Sequence, residues 1–274
     1  MKVDFFLIGF QKCATTWVYK CLYDHPEINM SNSDEVHFFD INYHKGNDFQ
    51  NSFYTNKDDA KIIGESTSSY IRSSTAAKRI FEHNPNAKFI VCMRNPVERA
   101  FSHFWHEKKK NKINYSLEDT FNYSGSGNYD LFNDVIETGI YIEHIKKYLK
   151  FFELKNFHFI YDFQLNQDVN SVIKNLFTFL NVNDSILPSS IDKRVNKSPE
   201  FYVEKIYVES SKKINFVSFF NRKSSKYYTI REEKIFSDNL KFPLFIEELV
   251  EFYSPYNSEL SKVLGVEFNK FWKK

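Results

Sequence analysis

Three cysteines, Cys13, Cys21 and Cys92, are too few and too scattered to staple a fold. Their odd number argues against a disulfide framework and their spacing fits no metal-ligand pattern, so a reducing cytoplasm is the expected compartment. Any run of eighteen apolar residues is also missing, so no membrane-spanning helix is expected. The apolar opening from Val3 to Phe10 carries neither a basic leader nor a small-residue cleavage site, and no export is expected. Charge of one sign is lacking as well. Lys and Arg number 37 against 35 Asp and Glu, a formal net charge of +2. That near-balance excludes a global electrostatic footprint for nucleic acid, and any anion site must be local. Internal repeats, heptads and low-complexity tails are absent.

What remains reads as one soluble globular domain spanning residues 1–274, with 42% hydrophobic and 26% charged residues. Aromatic residues reach 18%, including 30 Phe and 17 Tyr, and by themselves point to no function.

A strand-turn-helix grammar repeats along the chain. The apolar run Val3 to Gly9 predicts a buried strand, and Trp17, Val18, Cys21 and Leu22 recur at helical spacing before His25-Pro26 stops the helix. A second strand is predicted at Lys61 to Glu65, with a helix from about Ser74 to His83. A third follows at Ala87 to Met93, after which Asn95 caps a helix whose first residue is Pro96. A fourth, Asn156 to Tyr161, leads into a helix over Val169 to Leu180. Near the end, a helix is predicted around Phe245 to Phe252, a break at Ser254-Pro255, and a second short helix ending near Leu264-Gly265. Such alternation predicts an α/β fold with a central parallel sheet flanked by helices.

Two segments carry the chemistry of anion binding. After the first strand, Gly9-Phe10-Gln11-Lys12-Cys13-Ala14-Thr15-Thr16 forms a turn into a helix, where free N–H groups and the helix N-terminus face one point. Lys12 adds a full charge, and Thr15 and Thr16 add hydroxyls. Taken alone, the segment also admits a solvent-exposed lysine in a helix-capping turn. A nucleotide-triphosphatase P-loop would need Gly-Lys-Ser/Thr at the helix start, and this turn lacks it. In the second segment, Arg94 ends the third strand, the crevice where open α/β sheets bind ligands, and Ser102 lies two helical turns on. Both can reach one phosphate. Glu98 and Arg99 between them read as surface or packing charges.

These segments resemble the two donor-binding motifs of sulfotransferases: the 5′-phosphosulfate loop, usually Lys-x-Gly-Thr-Thr, and the 3′-phosphate motif with its Arg and Ser. A third segment, Asp34-Glu35-Val36-His37-Phe38-Phe39-Asp40, resembles the Glu-x-His-Phe-Phe stretch of carbohydrate sulfotransferases related to heparan sulfate enzymes and their bacterial relatives. The resemblance extends more weakly through Gly64 to Tyr70, Phe159 to Leu180, and Val195-Asn196-Lys197-Ser198, which is similar to a late loop over the nucleotide. It implies a P-loop-like three-layer fold and a 3′-phosphoadenosine 5′-phosphosulfate donor without a metal ion. It further implies Glu35 as catalytic base, with His37 sharing proton transfer or positioning the acceptor. Lys12 then serves both catalysis and donor binding. Cys13, Ala14, Thr15, Thr16, Trp17, Arg94, Ser102, Asn196 and Lys197 complete the implied donor site. Glu65 is the other carboxylate open to a share in the base role.

Two departures stand out. Ala14 replaces the usual Gly of the turn, and Ser66 stands where heparan-type enzymes often carry Lys. Cys13 in the anion turn admits two readings, a reactive thiol or a small space-filling residue. Two functional alternatives also stay open: a P-loop-type small-molecule kinase and a catalytically silent nucleotide-binding protein. The acceptor is expected to be a saccharide or small molecule, selected by the polar loops Lys108 to Asp130 and Lys212 to Asp238.

Overall fold

The computed structural model describes residues 1–109, 129–192, 201–203, 228–230 and 244–272. Five strands build one wholly parallel sheet: β1 (Phe5–Gly9), β2 (Ile28–Met30), β3 (Ile62–Ser66), β4 (Lys88–Met93) and β5 (Phe157–Tyr161). Their order is β2-β3-β1-β4-β5. β6 (Phe201–Val203) and β7 (Tyr228–Ile230) form a separate antiparallel pair. The helices are α1 (Thr15–Asp24), α2 (Gly46–Asn51), α3 (Ala76–His83), α4 (Pro96–Lys109), α5 (Tyr129–Val135) and α6 (Tyr141–Leu149). Further along come α7 (Asp162–Gln167), α8 (Val169–Leu180), α9 (Leu244–Leu264) and α10 (Phe268–Phe271).

Phe5, Phe6, Leu7 and Ile8 of β1 are all fully buried. Helices cover both faces of a parallel sheet, so its central strands read as continuous apolar runs rather than alternating ones. Phenylalanine rings supply much of this core among the described residues. The Phe89 ring lies 4.6 Å from Phe152, 4.9 Å from Phe157, 5.3 Å from Tyr148 and 6.1 Å from Phe6. Space is tightest at Gly64, where an added Cβ would fall 2.2 Å from the Phe5 ring and 2.5 Å from the Met30 sulfur. Gly64→Ala is therefore expected to destabilise the sheet by about 1–3 kcal/mol, read as a lowered Tm.

Four of the five sheet strands follow the sequence pattern, and Asn95 caps α4 as expected, its Oδ1 accepting the Val97 N–H at 2.9 Å. β2 was not foreseen. Three residues are too short to show a period, and β2 exists because Ile28, Asn29 and Met30 pair with Ile62, Ile63 and Gly64. The expected break at Ser254-Pro255 is also corrected, because α9 runs through Pro255 as one helix. Proline forfeits one backbone hydrogen bond there, but Leu249 and Tyr253 before it and Leu260 after it are all buried. Packing of both halves holds the helix in one piece.

The parallel strands deliver all their carboxyl ends to one edge. β1 leads there into the Phe10–Ala14 turn, β3 into Ser66–Tyr70, β4 into Arg94 and β5 into Asp162. This edge is where open α/β sheets bind ligands.

Candidate active site

The turn after β1 is built on two residues in the left-handed region, Lys12 at φ 68 and Ala14 at φ 67. Ala14 is exposed, so its methyl group, where the resemblance expects Gly, points to open space. The Cys13 N–H bonds to Phe10 C=O at 3.2 Å and closes the turn. Thr15 and Thr16, half-buried, occupy the first turn of α1, whose N–H groups have no intrahelical acceptor. Lys12 is half-buried too. Burial, followed by the charges of Arg99, Arg72 and Lys12, pushes the His103 imidazole well below its usual range. Lys12 thus shares an electrostatic neighbourhood with the Ser102–His103 stretch of α4.

β1 and β4 are direct neighbours, which sets the turn beside Arg94. One hydroxyl joins the two: Tyr141 Oη donates to Arg94 C=O at 2.8 Å and lies 3.7 Å from Cys13 Sγ. The Phe10 N–H adds a bond to Cys92 C=O at 2.8 Å. Arg94 Nη2 donates to Glu98 Oε2 at 2.6 Å, one helical turn on. Ser102 is buried on the same helix. Arg99 is no surface charge: it is fully buried, donating to Val135 C=O and pairing with His103 Nδ1 at 3.2 Å.

The third segment closes over the same edge. His37, at φ 56, turns the chain so that Glu35, His37 and Asp40 converge. His37 Nε2 lies 3.5 Å from Glu35 Oε2, and His37 Nδ1 lies 3.1 Å from Asp40 Oδ2. Ser69 Oγ donates to Asp40 Oδ2 at 2.9 Å. The Ser68 N–H donates to Glu35 Oε2 at 3.1 Å, and the Ser68 hydroxyl donates to Glu35 Oε1. Thr67 Oγ1 accepts the N–H groups of Val36 and His37, both at 3.0 Å, pinning the loop to the end of β3. Burial raises the Glu35 carboxyl above its usual range, against the lowering pull of Ser68 and His37. Hydrogen bonding to Asp40 raises the His37 ring above its usual range, against burial.

Asp40, Ser68 and Ser69 were missed as functional residues. Asp40 stands three residues after His37, and the Ser/Thr run follows a predicted strand, but neither feature shows from sequence that the two segments meet. Ser66, at the position where heparan-type enzymes often carry Lys, is buried and donates to Asp34 C=O at 3.0 Å. Cys13 and Trp17 turn their side chains into the core, which leaves their backbone to face the turn. Trp17 Nε1 donates to Ser190 C=O and Ile191 C=O. Burial pushes the Cys13 thiol up to about 11 despite the nearby charges of Arg99 and Arg94, so the reactive-thiol reading is corrected to a space-filling one. Asn196, Lys197 and most of the two polar loops lie outside the described residues.

A family model, the sulfotransferase domain, matches residues 2–243. The chain belongs to the sulfotransferase domain family. Among curated relatives, human heparan sulfate glucosamine 3-O-sulfotransferase 6 is 29% identical over 196 residues, covering 72% of this chain and 54% of that protein. Mouse heparan sulfate glucosamine 3-O-sulfotransferase 3A1 is 26% identical over 270 residues, covering 96% of this chain and 63% of that protein. The chain therefore spans less than two thirds of the length of these relatives. A solved sulfotransferase from Alicyclobacillus acidocaldarius superposes with a TM-score of 0.74 at 20% identity, covering 100% of both chains. Mouse sulfotransferase SULT7A1 complexed with PAP reaches 0.51 at 15% identity, covering 100% of this chain and 89% of that one. These sulfotransferase-fold likenesses establish the expected P-loop-like three-layer architecture.

Proposed function

We propose that this chain transfers a sulfuryl group from 3′-phosphoadenosine 5′-phosphosulfate to a hydroxyl or amine of a saccharide, by in-line displacement without a metal ion. The observation that carries this reading is convergence: one sheet edge gathers the cationic turn at Lys12, the guanidinium of Arg94 and the Glu35–His37–Asp40 chain. The donor chemistry fits the residues present. A helix start with a lysine suits the phosphosulfate end, and Arg94 with Ser102 suits a second phosphate one strand away. The names of the relatives, heparan sulfate glucosamine 3-O-sulfotransferases, support a saccharide acceptor. Family membership argues against the kinase alternative, and the assembled proton-transfer chain argues against a silent binding protein.

In this reading the bound donor supplies an electrophilic sulfur and a phosphate leaving group. Glu35 takes the proton of the attacking acceptor group at Oε1 or Oε2. Its raised pKa brings it nearer the acceptor's and strengthens it as a base. Asp40 orients the His37 ring so that Nε2 faces Glu35 at 3.5 Å, where a protonated ring favours the ionised carboxylate. Lys12 and the turn N–H groups stand where charge gathers on the leaving oxygen. A sulfuryl group carries less negative charge than a phosphoryl group, so a divalent clamp is not required.

The test is transfer of labelled sulfuryl from the donor across a set of saccharide acceptors, with and without a chelator. Labelled product formed at the same rate with chelator is expected. Transfer abolished by the chelator would overturn the metal-free mechanism, and labelled phosphate transfer from ATP in its place would overturn the reaction.

A further inference from the structure

Glu65 lies outside the proton-transfer chain but is bonded to the groups that hold it. It is fully buried in β3. Its Oε1 accepts from the Tyr70 hydroxyl at 2.5 Å and its Oε2 from Gln50 Nε2 at 2.8 Å. The Tyr70 hydroxyl in turn accepts the N–H of Phe39 at 2.9 Å, and Phe39 lies between His37 and Asp40 in the chain. A continuous path therefore runs from the Glu65 carboxyl through Tyr70 to the backbone that carries the catalytic loop. Gln50 brings α2 into the same clamp. Full burial with both oxygens committed to these donors keeps Glu65 from reaching an acceptor, which removes it as a candidate base.

We propose that Glu65 is the positioning residue of this site, clamping Tyr70 and Gln50 so that Glu35, His37 and Asp40 are held in register, and setting by its charge how tightly His37 holds its proton. The proposal rests on the sulfuryl-transfer reading for its effect on turnover. Burial is the main reason that Glu65 keeps its proton up to about pH 7, against the lowering bonds from Tyr70 and Gln50. Among the ion pairs of the described residues, none includes Glu65. The titratable groups facing it are Asp40 and His37 from the loop, Tyr70 from the turn after β3, and Tyr54 from the segment after α2. Opposite it on β1 stands Phe6, which does not titrate. As a carboxylate it favours the protonated His37 ring and is itself disfavoured by Asp40. The geometry thus couples a buried group that titrates near neutrality to the imidazole beside the base.

Two variants separate charge from clamp. In Glu65→Gln the new amide can still accept from Tyr70 and can donate to Gln50 Oε1, which has no partner among the described residues. The fold is kept while the charge is lost. In Tyr70→Phe the charge stays and the link to the Phe39 N–H is cut. The primary readout is the NMR titration of the His37 ring, assigned by its disappearance in His37→Gln, and it needs no substrate. Glu65→Gln is expected to lower the His37 midpoint by about half a pH unit. Tyr70→Phe is expected to lower kcat about tenfold with an unchanged KM for the donor. Superimposable His37 titrations in wild type and Glu65→Gln, or full kcat in Tyr70→Phe, would overturn the proposal. So would a loss of donor affinity in both variants that simply tracks their thermal stability. A wild-type protein that transfers to no acceptor would instead defeat the sulfuryl-transfer reading, and the His37 shift would still decide the role of Glu65.

Discussion

Replacing Glu35 by Gln is expected to lower kcat by about 10²–10⁴-fold while 3′-phosphoadenosine 5′-phosphate binds with unchanged affinity. The amide is isosteric, its oxygen can still accept the Ser68 N–H and its NH2 can donate to the Ser68 hydroxyl, so the loop that carries it should stay in place. What it cannot do is take a proton. As the proposed base, Glu35 is also expected to shape the acid side of the pH profile. Burial raises its pKa, so the protonated form, which cannot accept a proton, is expected to persist above the ordinary carboxylate range. Turnover in the wild type should therefore rise with pH through a limb displaced upward from that range, and the limb should vanish in Glu35→Gln. Steady-state rates across pH, with calorimetry of the nucleotide, check both parts. Near-wild-type turnover would remove Glu35 as base and leave His37 as the group positioned to act.

The second large effect is expected at Arg94. Arg94→Ala should weaken 3′-phosphoadenosine 5′-phosphate binding by about 2–5 kcal/mol, roughly 30- to 4,000-fold, with little effect on adenosine. The guanidinium is mostly buried and bonded to Glu98 Oε2 at 2.6 Å. Removing it takes away a cation and also takes this partner from the Glu98 carboxylate. Arg94→Ala combined with Glu98→Gln should recover part of the loss. Equal losses for the bisphosphate and for adenosine, measured by calorimetry, would contradict a role in holding a phosphate.

Much of this was legible in the sequence. The turn at Lys12, the strand ending at Arg94 and the cap at Asn95 are local patterns, in which spacing and residue type constrain the backbone within a few residues. Glu35 and His37 were legible only through the resemblance. Nothing local to Asp34–Asp40 shows that Asp40 returns to His37, or that Ser68 and Ser69 come across from the end of β3 to meet both. For Trp17 and Cys13 the sequence did not show which part of the residue lines the turn: their side chains are buried in the core and the backbone is what faces the turn.

By itself, then, the sequence determined the alternation of strand and helix, the parallel sheet and the cationic turn, since each depends on periodicity and neighbours close along the chain. Only the tertiary structure decided the pairing of β2, the continuity of α9 through Pro255, and the meeting of Glu35, His37 and Asp40 with Ser68 and Ser69. It also decided that Glu65 is fully buried and bonded to Tyr70 and Gln50, the observation from which the clamp role is proposed. These features depend on contacts between segments far apart in the chain. Burial, which sets the pKa of Glu35 and Glu65, is a property of the packed molecule rather than of either residue.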